Sequence, residues 1–258
     1  MKIRFGPAGL GGIKEAADNL EEFNSLGLRA CEVAFTYGVY IKSKEVAEKI
    51  RKEAEKLGVR LSIHAPYWIN LNSKEKEKIK KSKERILKCC EIGHYLGAYC
   101  VVFHPGYYGG MDKEESYQNI KKSILEMKQE IKKHGWKPRL APETTGKVNV
   151  FGSVDETARL VKETGCFYCL DFAHILAREK RIEYKEILKK FKGKQLHVHF
   201  SGIVYGEKGE RRHKETESKD IKELVEALKK YAKGKDIVII NESPSMVKDS
   251  VKSLRFIK

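Results

Sequence analysis

Short apolar runs of strand length alternate along this chain with longer stretches whose apolar positions recur at helical spacing. The runs are Lys2–Phe5, Ala30–Phe35, Val59–His64, Tyr99–His104, Arg139–Glu143, Cys166–Asp171, Gln195–His199 and Asp236–Asn241, each the length of a buried strand. Between them, helical periodicity covers Ile13–Leu26, Ser43–Leu57, Ser73 to about Leu96, Lys113–Lys133, Ser153–Thr164, Glu183–Phe191 and Asp220–Tyr231. A last helix is expected from about Met246, after Pro244. Gly27, Gly58 and Gly135 stand where helices stop, Ser73 reads as an N-cap, and Ser153 with Glu156 has the spacing of a capping box. Eight strands alternating with eight helices predict an α/β protein with a parallel sheet, and eight repeats favour a closed (β/α)8 barrel over an open sheet. No linker or repeat divides residues 1–258, so a single domain is expected. The least regular segment, Ser201–Lys219, reads as a functional loop after the seventh strand.

The polar residues that end these runs carry the chemistry. Six of them finish on a potential metal ligand: Ile63-His64, Phe103-His104, the segment leading into Glu143, Leu170-Asp171, Val198-His199 and Asn241-Glu242. Strand alternation puts Ser62 with His64, Val102 with His104, Ala141 with Glu143, Cys169 with Asp171, His197 with His199, and Ile240 with Glu242 on one face. Each ligand candidate is then the last inward residue at the C-terminal rim, where barrel active sites lie. One His or Asp at a strand end is ordinarily a hydrogen-bonded structural residue; six at the same end point to metal. Three His with three carboxylates suit zinc, manganese or iron, and the share of His leans toward zinc. There are more ligands than one ion needs, so at least two ions are expected, sharing a bridging carboxylate. Such pairs serve phosphate-ester hydrolysis.

Composition changes this picture in one respect. The 258 residues carry a formal net charge of +16, which suits a polyanionic partner, although Lys/Glu-rich helix faces are equally what a thermophile displays. No apolar run reaches membrane-spanning length, and Met1–Leu10 lacks the apolar core and cleavage site of a signal peptide, so a cytoplasmic protein is expected. Of the six cysteines, Cys166 and Cys169 have knuckle spacing but no second pair answers them. Buried thiols are the reading, with no disulfides implied.

The segments HAPYWINL, VVFHPG, APETTG, CLDFAH, HVHFSG and NESP resemble, in order and over nearly the whole chain, those of the endonuclease IV family of apurinic/apyrimidinic endonucleases. The resemblance implies a zinc-dependent (β/α)8 barrel, acting as a monomer, that cuts double-stranded DNA on the 5′ side of abasic sites. It places His64, His104 and Glu143 around a first zinc, with Glu143 bridging to a second held by Asp171, His199 and Glu242. His174 and His213 would serve a third. The bridging Glu143 is the expected catalytic residue, and the bridged pair would activate a shared water for attack on the phosphate.

One departure stands out. The family's third zinc takes an Asp two residues before the final His, and here that position is Arg211, which cannot ligate a metal. Either Glu210 or Glu215 substitutes, or the third ion binds weakly, or Arg211 contacts the phosphate instead. For DNA, Tyr67 and Trp68 form an aromatic pair just past His64, where the resembled family inserts side chains into the duplex; Tyr40 stands where that family places an Arg. Two other functions stay open. One is a sugar isomerase or epimerase of the xylose-isomerase-like barrels, which needs only Glu143, Asp171, His199 and Glu242. The other is a DNA-damage binding protein with a decayed site.

Overall fold

A computed structural model describes residues 1–257. Eight parallel strands form the barrel wall in two four-stranded arcs. One arc runs β1 (Lys2–Pro7), β10 (Asp236–Asn241), β7 (Gln195–Phe200) and β6 (Leu170–Asp171); the other runs β2 (Ala30–Ala34), β3 (Arg60–His64), β4 (Cys100–Phe103) and β5 (Arg139–Pro142). The arcs close at two seams. At the first, β5 meets the segment leading into β6 through Phe167 N–H to Leu140 O, Cys169 N–H to Pro142 O and a bridge between Glu143 and Cys169. The sixth strand is therefore regular only over its last two residues, shorter than its apolar run predicts. At the second seam Arg29 N–H donates to Phe5 O, and the chains approach so closely that a Cβ on Gly6 would lie 1.8 Å from Ala30 O. Gly6→Ala is expected to lower unfolding stability by about 3 kcal/mol; an unchanged thermal midpoint would show that the seam yields without cost.

The outer layer is α1 (Ala16–Ser25), α2 (Lys44–Lys56), α3 (Lys76–Leu96), α4 (Lys113–Lys133), α5 (Val154–Thr164), α6 (Phe172–Glu179), α7 (Tyr184–Lys190), α8 (Ser218–Tyr231) and α9 (Met246–Ser253), followed by a short 3-10 turn at Leu254–Phe256. The capping box forms as expected: Ser153 Oγ accepts from Glu156 N–H while the Glu156 carboxylate accepts from Ser153 N–H. Ser73 does not cap α3. That helix starts at Lys76, and the Ser73 hydroxyl instead accepts from Glu75 N–H in the preceding turn. No described helix is long and apolar enough to cross a membrane, and all six cysteines are buried as free thiols.

Two elements lie outside the predicted alternation, and both matter at the rim. The first is α6, directly after β6, whose N-cap is Asp171 itself: its Oδ1 accepts from His174 N–H at 2.7 Å. The second replaces the irregular loop expected over Ser201–Lys219. Here β8 (Gly202–Gly206) and β9 (Gly209–Lys214) form an antiparallel hairpin that folds over the mouth. Glu210 N–H donates to Gly146 O and Val148 N–H to Lys208 O, docking the hairpin on the loop after β5. Gly209, at φ +94°, makes that possible, since a Cβ there would lie 2.1 Å from Gly146 O.

A candidate metal centre at the barrel rim

The strand ends deliver their polar residues to one place. Below them the barrel interior is closed, with Ala30, Val238 and Ile240 packed together beside the buried polar residues Glu32, Ser62 and His197, so the last inward residues are held up at the C-terminal mouth. Glu143, fully buried, is the hub. Its Oε2 lies 3.2 Å from His64 Nε2 and 3.0 Å from His104 Nε2; its Oε1 lies 3.1 Å from His199 Nδ1 and 3.4 Å from His174 Nδ1. Three groups of metal-type donor atoms converge around it: His64, His104 and Glu143; Glu143, Asp171, His199 and Glu242; and His174, Glu210 and His213.

All eight residues singled out as ligands are in these groups, and the structure adds Glu210. This residue resolves the Arg211 departure. The β8–β9 register pairs Tyr205 with Glu210 but Val204 with Arg212, so Arg211 is the extra residue of a β-bulge. Residues three apart on a regular strand face opposite ways, whereas the bulge returns Glu210 and His213 to one face. Glu210 Oε2 then lies 3.4 Å from His174 Nε2 and Oε1 3.7 Å from His213 Nε2. Arg211 is exposed and lies across the hairpin against Gly206, away from the donors, so the option of a guanidinium taking over the ion's phosphate finds no support. Glu215 is engaged elsewhere, accepting from the Ser245 hydroxyl at 2.9 Å.

Chemically, the donor set fits metal ions. Five imidazoles face four carboxylates, all ligand types that zinc accepts. The buried Asp171 Oδ2 has no hydrogen-bond partner, an acceptor left over after capping α6. Burial pushes the Asp171 carboxyl up to about 6 against the opposing charge of His174. Burial would also raise Glu143, but the charges of His199 and His104 hold it well below the usual range; Glu242 is likewise held at about 2 against its burial, by His199. Burial opposes protonation of His64, yet the hydrogen bond and charge of Glu143 push it up to about 9. Protons on imidazoles thus neutralise the carboxylates in the place that cations would fill.

The outer nitrogens of three of these rings are also tied down, as is usual for metal-binding histidines. His64 Nδ1 donates to Ala65 O at 2.8 Å, His174 Nδ1 to Thr144 O at 3.0 Å, and His213 Nδ1 bonds the Ser201 hydroxyl at 2.8 Å. Glu210→Ala is expected to release one metal ion of low affinity while leaving those around Glu143 in place. Equilibrium dialysis with elemental analysis tests this, and full retention of every ion would remove Glu210 from the ligand set.

Above the donors opens a cleft of about 630 Å³ lined by His64, Tyr67, His104, Tyr107, Lys147 and Glu242 among others. Of the aromatic pair, Tyr67 lines this cleft and is 60% exposed, whereas Trp68, 63% exposed, lines a neighbouring hollow with Tyr37, Pro66 and Arg85. Tyr40 does not project there. Its ring packs edge-on against Phe35 at 5.2 Å and its hydroxyl donates to Gly11 O at 3.0 Å, so the residue of that loop that stands free is Tyr37, 85% exposed. Cys169 approaches the His197 and His199 rings from below, while Cys166 belongs to no donor group, in keeping with buried thiols.

A family model described as "Xylose isomerase-like TIM barrel" matches residues 20–258. The chain belongs to that family. Within the xylose isomerase-like barrels, one relative is an uncharacterized protein of Methanocaldococcus jannaschii, 35% identical over 97% of this chain and 95% of its own length. Another is a protein named "Probable endonuclease 4" from Aquifex aeolicus, 27% identical over 69% of this chain and 64% of that protein. Among solved structures, endonuclease IV from Thermus thermophilus superposes with a TM-score of 0.73 at 21% identity, covering 98% of this chain and 97% of that one. A D-psicose 3-epimerase from Clostridium cellulolyticum does so with a TM-score of 0.70 at 15% identity, covering 98% and 97%. At these identities the superpositions describe the barrel, and the side chains at its rim have to distinguish among its chemistries.

Proposed function

We propose that this barrel is a metal-dependent apurinic/apyrimidinic endonuclease, with zinc in at least two sites, that hydrolyses the phosphodiester 5′ to an abasic site in double-stranded DNA. One observation carries the reading: three donor groups, two of which share Glu143, meet on the floor of a single open cleft. A sugar epimerase would need only Glu143, Asp171, His199 and Glu242. The additional donors His64, His104, His174, Glu210 and His213 have a use where a phosphate must be held from several sides.

When bound, the ions supply an activated water and Lewis acidity to the phosphodiester. The protein's own residues do the rest. Glu143 ties the His64–His104 side of the site to the Asp171–His199–Glu242 side, fixing their spacing. Lys147, on the cleft wall, places a cation beside the incoming phosphate chain, and the +16 net charge favours the encounter. Tyr67 and Trp68 offer flat surfaces on which an unstacked base can rest where the abasic nucleotide leaves a gap. Trp68→Ala is therefore expected to weaken binding of an abasic duplex by about tenfold or more, one stacked base being worth ~1–3 kcal/mol, with metal content unchanged. Equal affinities in a fluorescence-anisotropy titration would take Trp68 out of the DNA contact.

The direct test is incision of a duplex carrying one synthetic abasic site, with and without EDTA, beside metal analysis of the purified protein. EDTA-sensitive cleavage on the 5′ side, with two or more zinc ions per chain, is expected. Abasic-site binding without incision would favour a damage-binding protein. One metal per chain with no preference for DNA would favour a sugar substrate.

A further inference from the structure

Beneath the rim lies a polar network in which none of the expected ligands except His199 takes part. Glu32, on β2, is fully buried inside the barrel. Its Oε2 accepts from the Ser62 hydroxyl at 2.7 Å and from His197 Nε2 at 3.1 Å, and its Oε1 lies 3.0 Å from His199 Nε2. That last contact is off the line of an ideal hydrogen bond, and Oε1 has no other donor. The Ser62 hydroxyl and two imidazole nitrogens thus converge on one carboxylate, which is the acceptor of the group. His197 Nε2 faces Glu32 Oε2 and also lies 3.2 Å from His199 Nε2, while its Nδ1 meets the Tyr99 hydroxyl.

We propose that Glu32 is the positioning residue of the metal centre: it takes the Nε2–H of His199 and so presents Nδ1 of that ring to the place framed by Glu143, Asp171 and Glu242. The contrast with the neighbouring imidazoles supports this. His64 and His104 meet Glu143 through Nε2, whereas His199 meets it through Nδ1. His64 is turned by a backbone carbonyl and His213 by a hydroxyl; His199 alone is turned by a buried carboxylate, which is in turn fixed by Ser62 and His197. A carboxylate behind a histidine orients the ring and raises its basicity as a ligand. The inference rests on the reading of these residues as a metal centre and is independent of the substrate.

The test is a zinc titration of metal-stripped wild-type protein and Glu32→Gln against a chromophoric chelator, together with ring-nitrogen NMR of the zinc-loaded wild type. One class of zinc sites is expected to weaken by about 10–100-fold in the variant, while a class assignable to His64 and His104 keeps its affinity. In the wild type, His199 is expected to carry its proton on Nε2 and zinc on Nδ1. Should Glu32→Gln fail to fold, the NMR assignment on the wild type decides alone. Equal zinc affinities in the two proteins, or zinc on Nε2 of His199, would overturn the role of Glu32 while leaving the metal centre standing. A wild type that binds no zinc would overturn both.

Discussion

Glu143→Gln is expected to lower incision of an abasic duplex by on the order of 10³–10⁴-fold and to empty more than one metal site together. The reason is geometric. One carboxylate oxygen serves His64 and His104 while the other serves His199 and His174, so the residue belongs to two donor groups. The amide keeps the volume but can offer only one oxygen, and its NH2 would point a donor at imidazoles that also need acceptors. It also removes the buried negative charge that the surrounding histidines compensate. The variant should therefore be destabilised when metal-free less than it is inactivated. Rates from a fixed-time gel assay and zinc per chain from elemental analysis read the two effects separately. A variant that kept a tenth of wild-type activity with full zinc would show that Glu143 is not the bridge.

Stripping the metal is expected to produce the largest change in stability. Ions that bind only the folded chain contribute RT ln(1 + [L]/Kd), about 4 kcal/mol at a thousandfold excess over Kd. For a chain of this size that corresponds to roughly 8–15 °C in the thermal midpoint. The direction of the pH dependence follows from His64, raised in the metal-free protein to about 9 by the hydrogen bond and charge of Glu143 against the effect of burial. A histidine whose folded value is raised stabilises the metal-free form fully below its unfolded value, ordinarily 6.5, and that stabilisation is lost as pH rises through about 9. Zinc needs the neutral ring, so proton competition weakens its binding by about tenfold for each unit below 9. Asp171, raised to about 6 by burial, adds competition of the same sign at lower pH. The His64 effect widens the gap in melting temperature between zinc-loaded and stripped protein as pH rises from 6.5 to 9. Scanning calorimetry of the two forms across that range tests this; a gap that narrowed would mean that His64 is not displaced by the ion.

Two residues around this site were not singled out by periodicity alone. Glu32 sits in the strand-like run Ala30–Phe35 as its only charged residue, which was a usable signal, since a carboxylate in a buried strand needs a partner. The partners, Ser62 on β3 and His197 and His199 on β7, are far away in sequence and meet only because the barrel closes. Glu210 was one of two candidate substitutes, and neither spacing nor composition separates it from Glu215. The bulge at Arg211 and the seating of the hairpin on Gly146 O decide between them.

What the sequence by itself determined is the alternation of eight strands and their helices, and the fact that six strands end on metal-type ligands at one rim. Both are local properties: hydrophobic periodicity sets the element type, and the two-residue alternation of a strand sets which side chain faces inward. The tertiary structure alone decided the rest. Where the wall closes depends on an approach that only Gly6 permits. That Tyr37 rather than Tyr40 stands free depends on the packing of Tyr40 against Phe35. The third donor group is completed by a hairpin whose register admits one extra residue, because cross-strand pairing and docking contacts are made between segments that no local pattern links.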